Sequence, residues 1–175
     1  METTTVVLDA DFIQKIASIQ RVSPDVLYDK LMADLKCSPV VHPFVIEHEL
    51  FACSLARRKV EEALLRVVPY SEFIKSDTQR QIYIQTFLDA YRLVTFEKYG
   101  QEGVPPTDIF THCASNDYGE IHSVLMAAEL GIPIFYSNTI FSPMQEFLKI
   151  FSYFREKHSP LLKFCPIDDI IIYNV

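Results

Sequence analysis

Residues 6–13 read VVLDADFI, an apolar run that ends on two aspartates, Asp9 and Asp11. The short β-branched run at 6–8 is typical of a strand buried on both faces of a parallel sheet. Two interpretations of the acids stay open. Aspartate often follows a strand because its carboxylate accepts hydrogen bonds from nearby backbone amides. Alternatively, the two carboxylates supply the oxygen ligands that Mg²⁺ or Mn²⁺ prefers.

Strand-like and helix-like segments alternate along the rest of the chain. Ser23-Pro24 is typical of a helix start, and Gly100 of a helix end. We predict strands at 6–8, 109–113, 132–136 and 170–173, helices at 24–35, 43–67, 78–99, 120–130 and 144–157, and a connector at 40–42. This alternation predicts an α/β fold with three layers, α/β/α, around a central parallel sheet of four to five strands. The length suits a single domain over residues 1–175.

Composition narrows the class of protein. The net charge of −7 excludes the whole-chain basic surface that many nucleic-acid binders carry. No apolar run is long enough to span a bilayer, and the first residues lack the pattern of a signal peptide, so we expect a cytoplasmic location. The four cysteines are far apart and form no CxxC pair, which favours reduced thiols. The histidines show no zinc-site spacing, and no P-loop is present.

Two glutamates lie in the segment FVIEHELFACSLARRK, at positions 47 and 49. On a helix they would be about 200° apart, so they cannot share a face. Glu49 would fall on the side of Ala52 and Cys53, small residues that permit close approach of a neighbouring backbone. We therefore expect Glu49, rather than Glu47, to point inward. The alternative is that both glutamates lie on the surface of an amphipathic helix.

Further polar residues follow the later predicted strands. Asp117 and Glu120 match the spacing of a helix capping box, which would give them a purely structural role. Ser137 and Asn138 follow the strand at 132–136. In open α/β sheets, binding sites form beyond the carboxyl ends of the strands. These groups would then converge with Asp9 at one edge of the sheet.

A basic run at Arg57-Arg58-Lys59 stands out in an acidic chain. It could steer a phosphate backbone toward a site. More often, such a run is a solvated helix face. Both interpretations stay open.

Three segments together resemble the PIN domain family of metal-dependent ribonucleases: VVLDADFI, EHELFA and DYGEIHSVLMAAELGIPIFYSN. Members carry an Asp after the first strand, matched by Asp9. They carry a glutamate followed by an apolar residue, matched by Glu49-Leu50. They also carry a later acid, in some branches a Gly-Glu pair before an Ala-rich helix, which is similar to Gly119-Glu120. The chain departs from the pattern at 137–139, Ser-Asn-Thr, where the fourth acid is missing.

The resemblance implies a PIN-like fold that hydrolyses phosphodiester bonds in RNA with Mg²⁺ or Mn²⁺. It implies three catalytic carboxylates: Asp9, Glu49 and Glu120. It implies a set of metal ligands: Asp9, Asp117, Glu120 and Asn138. It implies a set of substrate contacts: Asp11, Arg57, Arg58, Ser137 and Thr139. It also suggests RNA, an antitoxin or another protein, and a second copy of the chain as partners, as in toxin-type members.

Two alternatives remain. The missing fourth acid and the acidic net charge also fit a PIN-like fold that binds a protein partner without catalysis. The Asp-x-Asp sequence at 9–11, with IFYSN at 134–138, also resembles haloacid-dehalogenase-like phosphatases, in which the first Asp attacks phosphate and the second is the acid. The later motifs of that family fit poorly, because Asp168 and Asp169 precede a predicted strand instead of following one.

Overall fold

The opening strand is the central strand of a parallel sheet. The computed structural model describes residues 2–101, 108–111, 117–136, 144 and 162–164. Five strands lie in the order β3-β2-β1-β4-β5, and every neighbouring pair is parallel. Their bounds are β1 Thr4–Leu8, β2 Cys37–Val41, β3 Arg66–Val67, β4 Ile134–Tyr136 and β5 Leu162–Phe164. The parallel α/β fold predicted from the sequence is confirmed.

Helices cover both faces of this sheet. They are α1 Ala10–Ala17, α2 Pro24–Asp34, α3 Ser54–Glu61, α4 Asp77–Tyr99 and α5 Tyr118–Leu130, with a π-helix at Val45–Glu49 and a 3₁₀ turn at Tyr70–Glu72. Val7 of β1 belongs to a core shared with α4 and α5, whereas Val6 and Leu8 belong to a core shared with α1, α2 and α3. Because successive side chains of a strand point to opposite faces, β1 contributes to both cores.

Two predicted helices begin or end close to where the sequence placed them. Helix α2 begins at Pro24 after Ser23, and α4 ends at Gly100, which adopts the left-handed conformation that glycine tolerates. The predicted strand at 132–136 is present as β4. The helix expected at 144–157 lies outside the described residues except for Met144, which is buried, and the strand expected at 170–173 lies outside them entirely.

The connector predicted at 40–42 is wrong, because residues 37–41 form strand β2. Pro39 suggested a loop, since proline cannot donate a hydrogen bond to a neighbouring strand. It is tolerated because β3 pairs with β2 only at Val40 and Val41, so β2 has a single neighbouring strand at Pro39.

The single helix predicted at 43–67 is also wrong. The segment contains the π-helix, a turn, α3 and then β3, because its last residues are needed as a strand beside β2. The strand predicted at 109–113 is a turn in its described part, 109–111. Asp108 accepts hydrogen bonds from the Phe110 amide and the Thr111 hydroxyl, which stabilises a turn in place of a strand.

A buried chain of hydrogen bonds joins β2, α4 and α5. The Phe44 amide donates to His42 Nδ1 (2.9 Å), so the His42 proton lies on Nε2 and is donated to Tyr83 Oη (3.0 Å). His122 Nε2 lies 2.8 Å from the Ile109 carbonyl oxygen, which can only accept, so His122 Nδ1 accepts from the Tyr83 hydroxyl (2.6 Å). Burial lowers the pKa of His42 well below its usual range and that of His122 to about 3. Both rings are therefore neutral, and every ring nitrogen has a partner.

Replacing Tyr83 with Phe should lower the free energy of unfolding by about 2–6 kcal/mol. The change leaves a buried donor on His42 and a buried acceptor on His122 unpaired, at roughly 1–3 kcal/mol each. Urea denaturation measures the loss. Tyr70→Phe is the matched control, because the Tyr70 hydroxyl is buried and has no hydrogen-bond partner among the described residues. Its effect should stay within about 0.5 kcal/mol or be stabilising. Equal losses in the two variants would contradict the proposed chain.

Candidate metal site

Asp9 lies at the junction between the central strand and the first helix. It is the N-cap of α1, and its Oδ1 accepts a hydrogen bond from the Phe12 amide at 2.9 Å. Its own amide donates to the Phe135 carbonyl at 3.2 Å, which ties it to β4. The side chain is fully buried, and its Oδ2 has no hydrogen-bond partner among the residues that the structure describes. One carboxylate oxygen therefore caps the helix, and the other is available to a ligand.

Two further carboxylates face Asp9. Asp11 lies in the first turn of α1, and Glu120 lies in the first turn of α5. One oxygen from each of Asp9, Asp11 and Glu120 lies within 4.8 Å of the others. We call these three residues the acidic cluster. Glu120 is buried and its Oε2 has no hydrogen-bond partner in the described part of the chain, whereas Asp11 is only half-buried. The acidic cluster is a site that could hold a metal ion.

Strand order explains why the acids meet here. β1 lies between β2 and β4, and the chain continues from β1 toward β2 but from β4 toward β5. The connections that leave β1 and β4 therefore run in opposite directions. A crevice opens at such a position beyond the carboxyl ends of the strands. Helix α1 packs on one face of the sheet and α5 on the other. The first turns of the two helices therefore bring Asp9, Asp11 and Glu120 together.

Glu49 lies next to the acidic cluster and holds α5 in place. It is the last residue of the π-helix, in which the Leu50 amide donates to the Val45 carbonyl at 2.8 Å. Its Oε1 accepts a hydrogen bond from the Gly119 amide at 3.1 Å, whereas Glu47 is exposed. A Cβ on Gly119 would overlap the Glu49 carboxylate, so only glycine permits this approach. The π-helix, which sequence spacing did not suggest, sets the direction of Glu49.

The buried carboxyl groups favour their protonated forms in the metal-free protein. Burial raises the pKa of Asp9 well above its usual range, and the negative charges of Asp11 and Glu49 raise it further. Burial raises the pKa of Glu49 to about 7. Burial, together with the negative charge of Glu49, raises the pKa of Glu120 to about 9. A bound cation would reverse this effect by stabilising the ionised carboxylates.

Asp117 has a different environment from the one that the sequence suggested. It is the N-cap residue of α5, but its side chain makes no capping hydrogen bond, so the capping box predicted with Glu120 is wrong. Instead, its Oδ1 pairs with Lys98 Nζ of α4 at 3.0 Å. Asp117 is almost fully buried, while Lys98 is 38% exposed. The carboxylate expected as a metal ligand is thus engaged by an ammonium group.

The remaining predicted site residues divide into two groups. Arg57 and Arg58 are exposed on α3, and Arg58 forms a two-bond pair with Asp25 at 2.7 and 3.1 Å. Ser137, Asn138 and Thr139 lie outside the described residues. No signal in the sequence pointed to Lys98, because a lysine in the last turn of a helix is usually explained by the helix dipole.

Comparison with known proteins adds no identification. No family model, curated protein or solved structure matches the chain. The resemblance to PIN domains therefore depends on the sequence motifs alone. Within the described ranges, no helix combines the length and apolarity needed to cross a membrane.

The contact between Gly119 and Glu49 predicts a strongly coupled pair of substitutions. Gly119→Ala should lower the free energy of unfolding by about 0.5–1.5 kcal/mol, because the added methyl group displaces the Glu49 carboxylate and breaks its hydrogen bond with the residue 119 amide. In a Glu49→Ala background the obstructing carboxylate is gone, so most of this cost should disappear. Urea denaturation of the four proteins gives the coupling energy. A Gly119→Ala cost that is the same in both backgrounds would contradict the contact.

The raised pKa values predict how the stability of the metal-free protein depends on pH. In the unfolded chain Glu49 and Glu120 titrate near 4.5, and in the folded chain near 7 and 9. The folded state therefore holds more carboxyl protons between these values. The neutral His42 and His122 act in the opposite direction below about pH 7, because the unfolded chain protonates them there. The carboxyl groups alone change protonation above that pH, so stability should fall as pH rises from 7 to 9. In EDTA, Tm should decrease over this range, and Mn²⁺ should oppose the decrease at pH 8.

Asp9→Asn is the matched variant for this pH series. The asparagine oxygen can still cap α1, and its amide can donate to the neighbouring carboxylates. At pH 8 in EDTA we expect this variant to be more stable than the parent by about 1–3 kcal/mol, because the asparagine needs neither a bound proton nor a buried charge without a partner. Its Tm should no longer respond to Mn²⁺. A metal-free Tm that rises between pH 7 and 9 in the parent would contradict the account.

Proposed function

We propose that this chain is a metal-dependent ribonuclease of the PIN type, which hydrolyses phosphodiester bonds in RNA. The observation that carries the proposal is a set of buried carboxylate oxygens that lack hydrogen-bond partners in the described part of the chain. Asp9 Oδ2 and Glu120 Oε2 belong to the acidic cluster, and Glu49 Oε2 lies beside it. Burying a carboxylate without a partner is costly, and a bound cation would offset that cost. Asp11 completes the three-ligand group.

The ligand chemistry favours a hard divalent cation. All three members of the acidic cluster offer carboxylate oxygens, and no histidine or cysteine belongs to it. Mg²⁺ and Mn²⁺ bind such oxygens, keep part of their water shell and contact substrate phosphates. The half-buried Asp11 lies where the cluster reaches the surface, so a phosphate could approach from that side.

Such a cation supplies an activated water and offsets the charge that develops on the phosphate. The chain contributes the positions of the ligands. Asp9 is held by the Phe12 amide, and Glu120 is held by the anchoring of the preceding residue, Gly119, to Glu49. In this proposal Glu49 is a positioning residue for Glu120. Asn138 as a metal ligand, and Ser137 and Thr139 as substrate contacts, remain proposals that depend on the sequence alone.

RNA is proposed as the substrate because the sequence motifs resemble those of PIN ribonucleases. Arg57, exposed on α3, is proposed as a contact for the phosphate backbone. Arg58 is less available, because it pairs with Asp25. An antitoxin or other protein partner, and a homodimer, remain proposals of the same kind.

A haloacid-dehalogenase-like phosphatase is less compatible with this geometry. In that chemistry the first aspartate must attack phosphate directly. Asp9 is fully buried, and one of its oxygens is used by the Phe12 amide. That family's motif also gives no role to Glu49 or Glu120, which lie beside Asp9.

Cleavage of a mixed pool of single-stranded and hairpin RNAs tests the function. With Mn²⁺ or Mg²⁺ the parent protein should cut RNA, and EDTA should abolish cutting. Asp9→Asn and Glu120→Gln should each lower the rate by at least the roughly 10–100-fold that loss of a metal's supporting contacts costs. Glu47→Gln is the matched control, because Glu47 is exposed and lies only two residues before Glu49 in the sequence. Its rate should match that of the parent.

Each other outcome would contradict the proposal in a different way. Equal cutting by the parent and Asp9→Asn would indicate a contaminating nuclease. Turnover of a small phosphomonoester without RNA cleavage would favour the phosphatase. Tight Mn²⁺ binding without any turnover would favour a non-catalytic binding module that retains the metal.

A further inference from the structure

The contact between Lys98 and Asp117 is the feature of the site that the proposed chemistry does not use. Asp117 begins α5, two residues before Gly119 and three before Glu120. Glu49 Oε1 accepts a hydrogen bond from the Gly119 amide, two residues after Asp117, so both carboxylates lie at the beginning of α5. Lys98 comes from the last turn of α4 and places its ammonium 3.0 Å from Asp117 Oδ1.

Five carboxylates therefore surround the beginning of α5: Asp9, Asp11, Glu49, Asp117 and Glu120. Only three of them, the acidic cluster, bring their oxygens close enough together to share one ion. Glu49 and Asp117 could be ligands of a second ion. Paired divalent ions in nucleases lie about 3.5–4 Å apart and are bound by neighbouring acidic residues. Asp117, however, already has a cation beside it.

We propose that Lys98 takes the place of a second divalent cation, so that the site binds a single metal ion. This inference rests on the proposed metal site. The ammonium supplies a fixed positive charge next to the buried Asp117 and would repel a divalent ion from the same oxygen. Because Lys98 Nζ is held by Asp117, this charge also stays at the start of α5. Lys98 would then act by limiting the number of ions, without binding one itself.

The pairing also explains why Asp117 need not be a ligand although it lies near the acidic cluster. A carboxylate buried to this extent needs a positive partner, and either a metal or an ammonium can provide it. Lys98 is 38% exposed, so its stem crosses from the protein surface to the buried acid. This arrangement fits the ability of lysine to keep its alkyl chain against the protein while its charged end reaches a partner.

The stoichiometry of Mn²⁺ binding tests this inference without relying on activity. Isothermal titration and electron paramagnetic resonance of free Mn²⁺ would be applied to the full chain. The parent and Lys98→Arg should each bind one Mn²⁺, because both keep a cation beside Asp117. Lys98→Met should bind two. Lys98→Met/Asp117→Asn should return to one, because the acid that recruits the second ion is gone.

Asp117→Asn alone keeps the inference falsifiable if Lys98→Met does not fold. Asp117 is not a ligand in this account, so the variant should still bind one Mn²⁺, whereas Asp9→Asn should bind none. Loss of Mn²⁺ binding in Asp117→Asn would show that Asp117 is a ligand and would overturn the inference. Circular dichroism checks folding of each variant.

The failures of the two proposals are distinguishable. A parent protein that binds no Mn²⁺ overturns the metal site and, with it, both the ribonuclease and the role of Lys98. A parent that binds two ions, or a folded Lys98→Met that still binds one, overturns only the role of Lys98. In that case the acidic cluster and the proposed ribonuclease remain.

Discussion

The burial of carboxylate oxygens beside the end of a parallel sheet is the constraint on which this site depends. Asp9 and Glu120 each present a buried oxygen that no described residue satisfies. A protein bears that cost only if another species compensates for it or if the group stays protonated. In the metal-free protein, burial favours protonation, and the raised pKa values of these groups follow from it. A divalent cation would favour the ionised forms and draw the three carboxylates together.

Helix α5 connects the acidic cluster to the rest of the fold. Its residues from Tyr118 to Ala128 are all buried, so the helix is enclosed on every side. Three polar contacts fix its first turns: Asp117 with Lys98, Gly119 with Glu49, and His122 with Tyr83. Because these contacts reach α4 and the π-helix, the position of Glu120 is set by elements distant in sequence.

The sequence predicted the parts of the fold that depend on local pattern. The first strand followed from its β-branched run, α2 from Ser23-Pro24, and the end of α4 from Gly100. It also placed Asp9 and Glu120 at one edge of the sheet, and the structure brings them together there. The reason given for Glu120 was wrong, because the strand predicted before it is a turn in its described part, and Glu120 reaches this edge as a residue of the first turn of α5. The departures arose where tertiary pairing outweighed local pattern. Pro39 suggested a loop, yet it lies in β2, which pairs with β1 but not with β3 at that residue.

The finer features of the site could not be predicted, because they depend on contacts between distant residues. Glu49 and Gly119 are 70 residues apart, and their contact requires a π-helix that helical spacing does not reveal. Lys98 and Asp117 looked like a helix-end lysine and a helix cap, and each residue satisfied a local rule. Only the packing of α4 against α5 shows that they are partners.

Anomalous diffraction from crystals grown with Mn²⁺ would test the central claim most directly. The account predicts one strong anomalous peak bounded by carboxylate oxygens of Asp9, Asp11 and Glu120, at the metal–oxygen distances expected of a hard cation. It also predicts that Lys98 stays paired with Asp117 in the same crystal. A well-ordered structure with no peak between these three carboxylates, at a saturating Mn²⁺ concentration, would contradict the account.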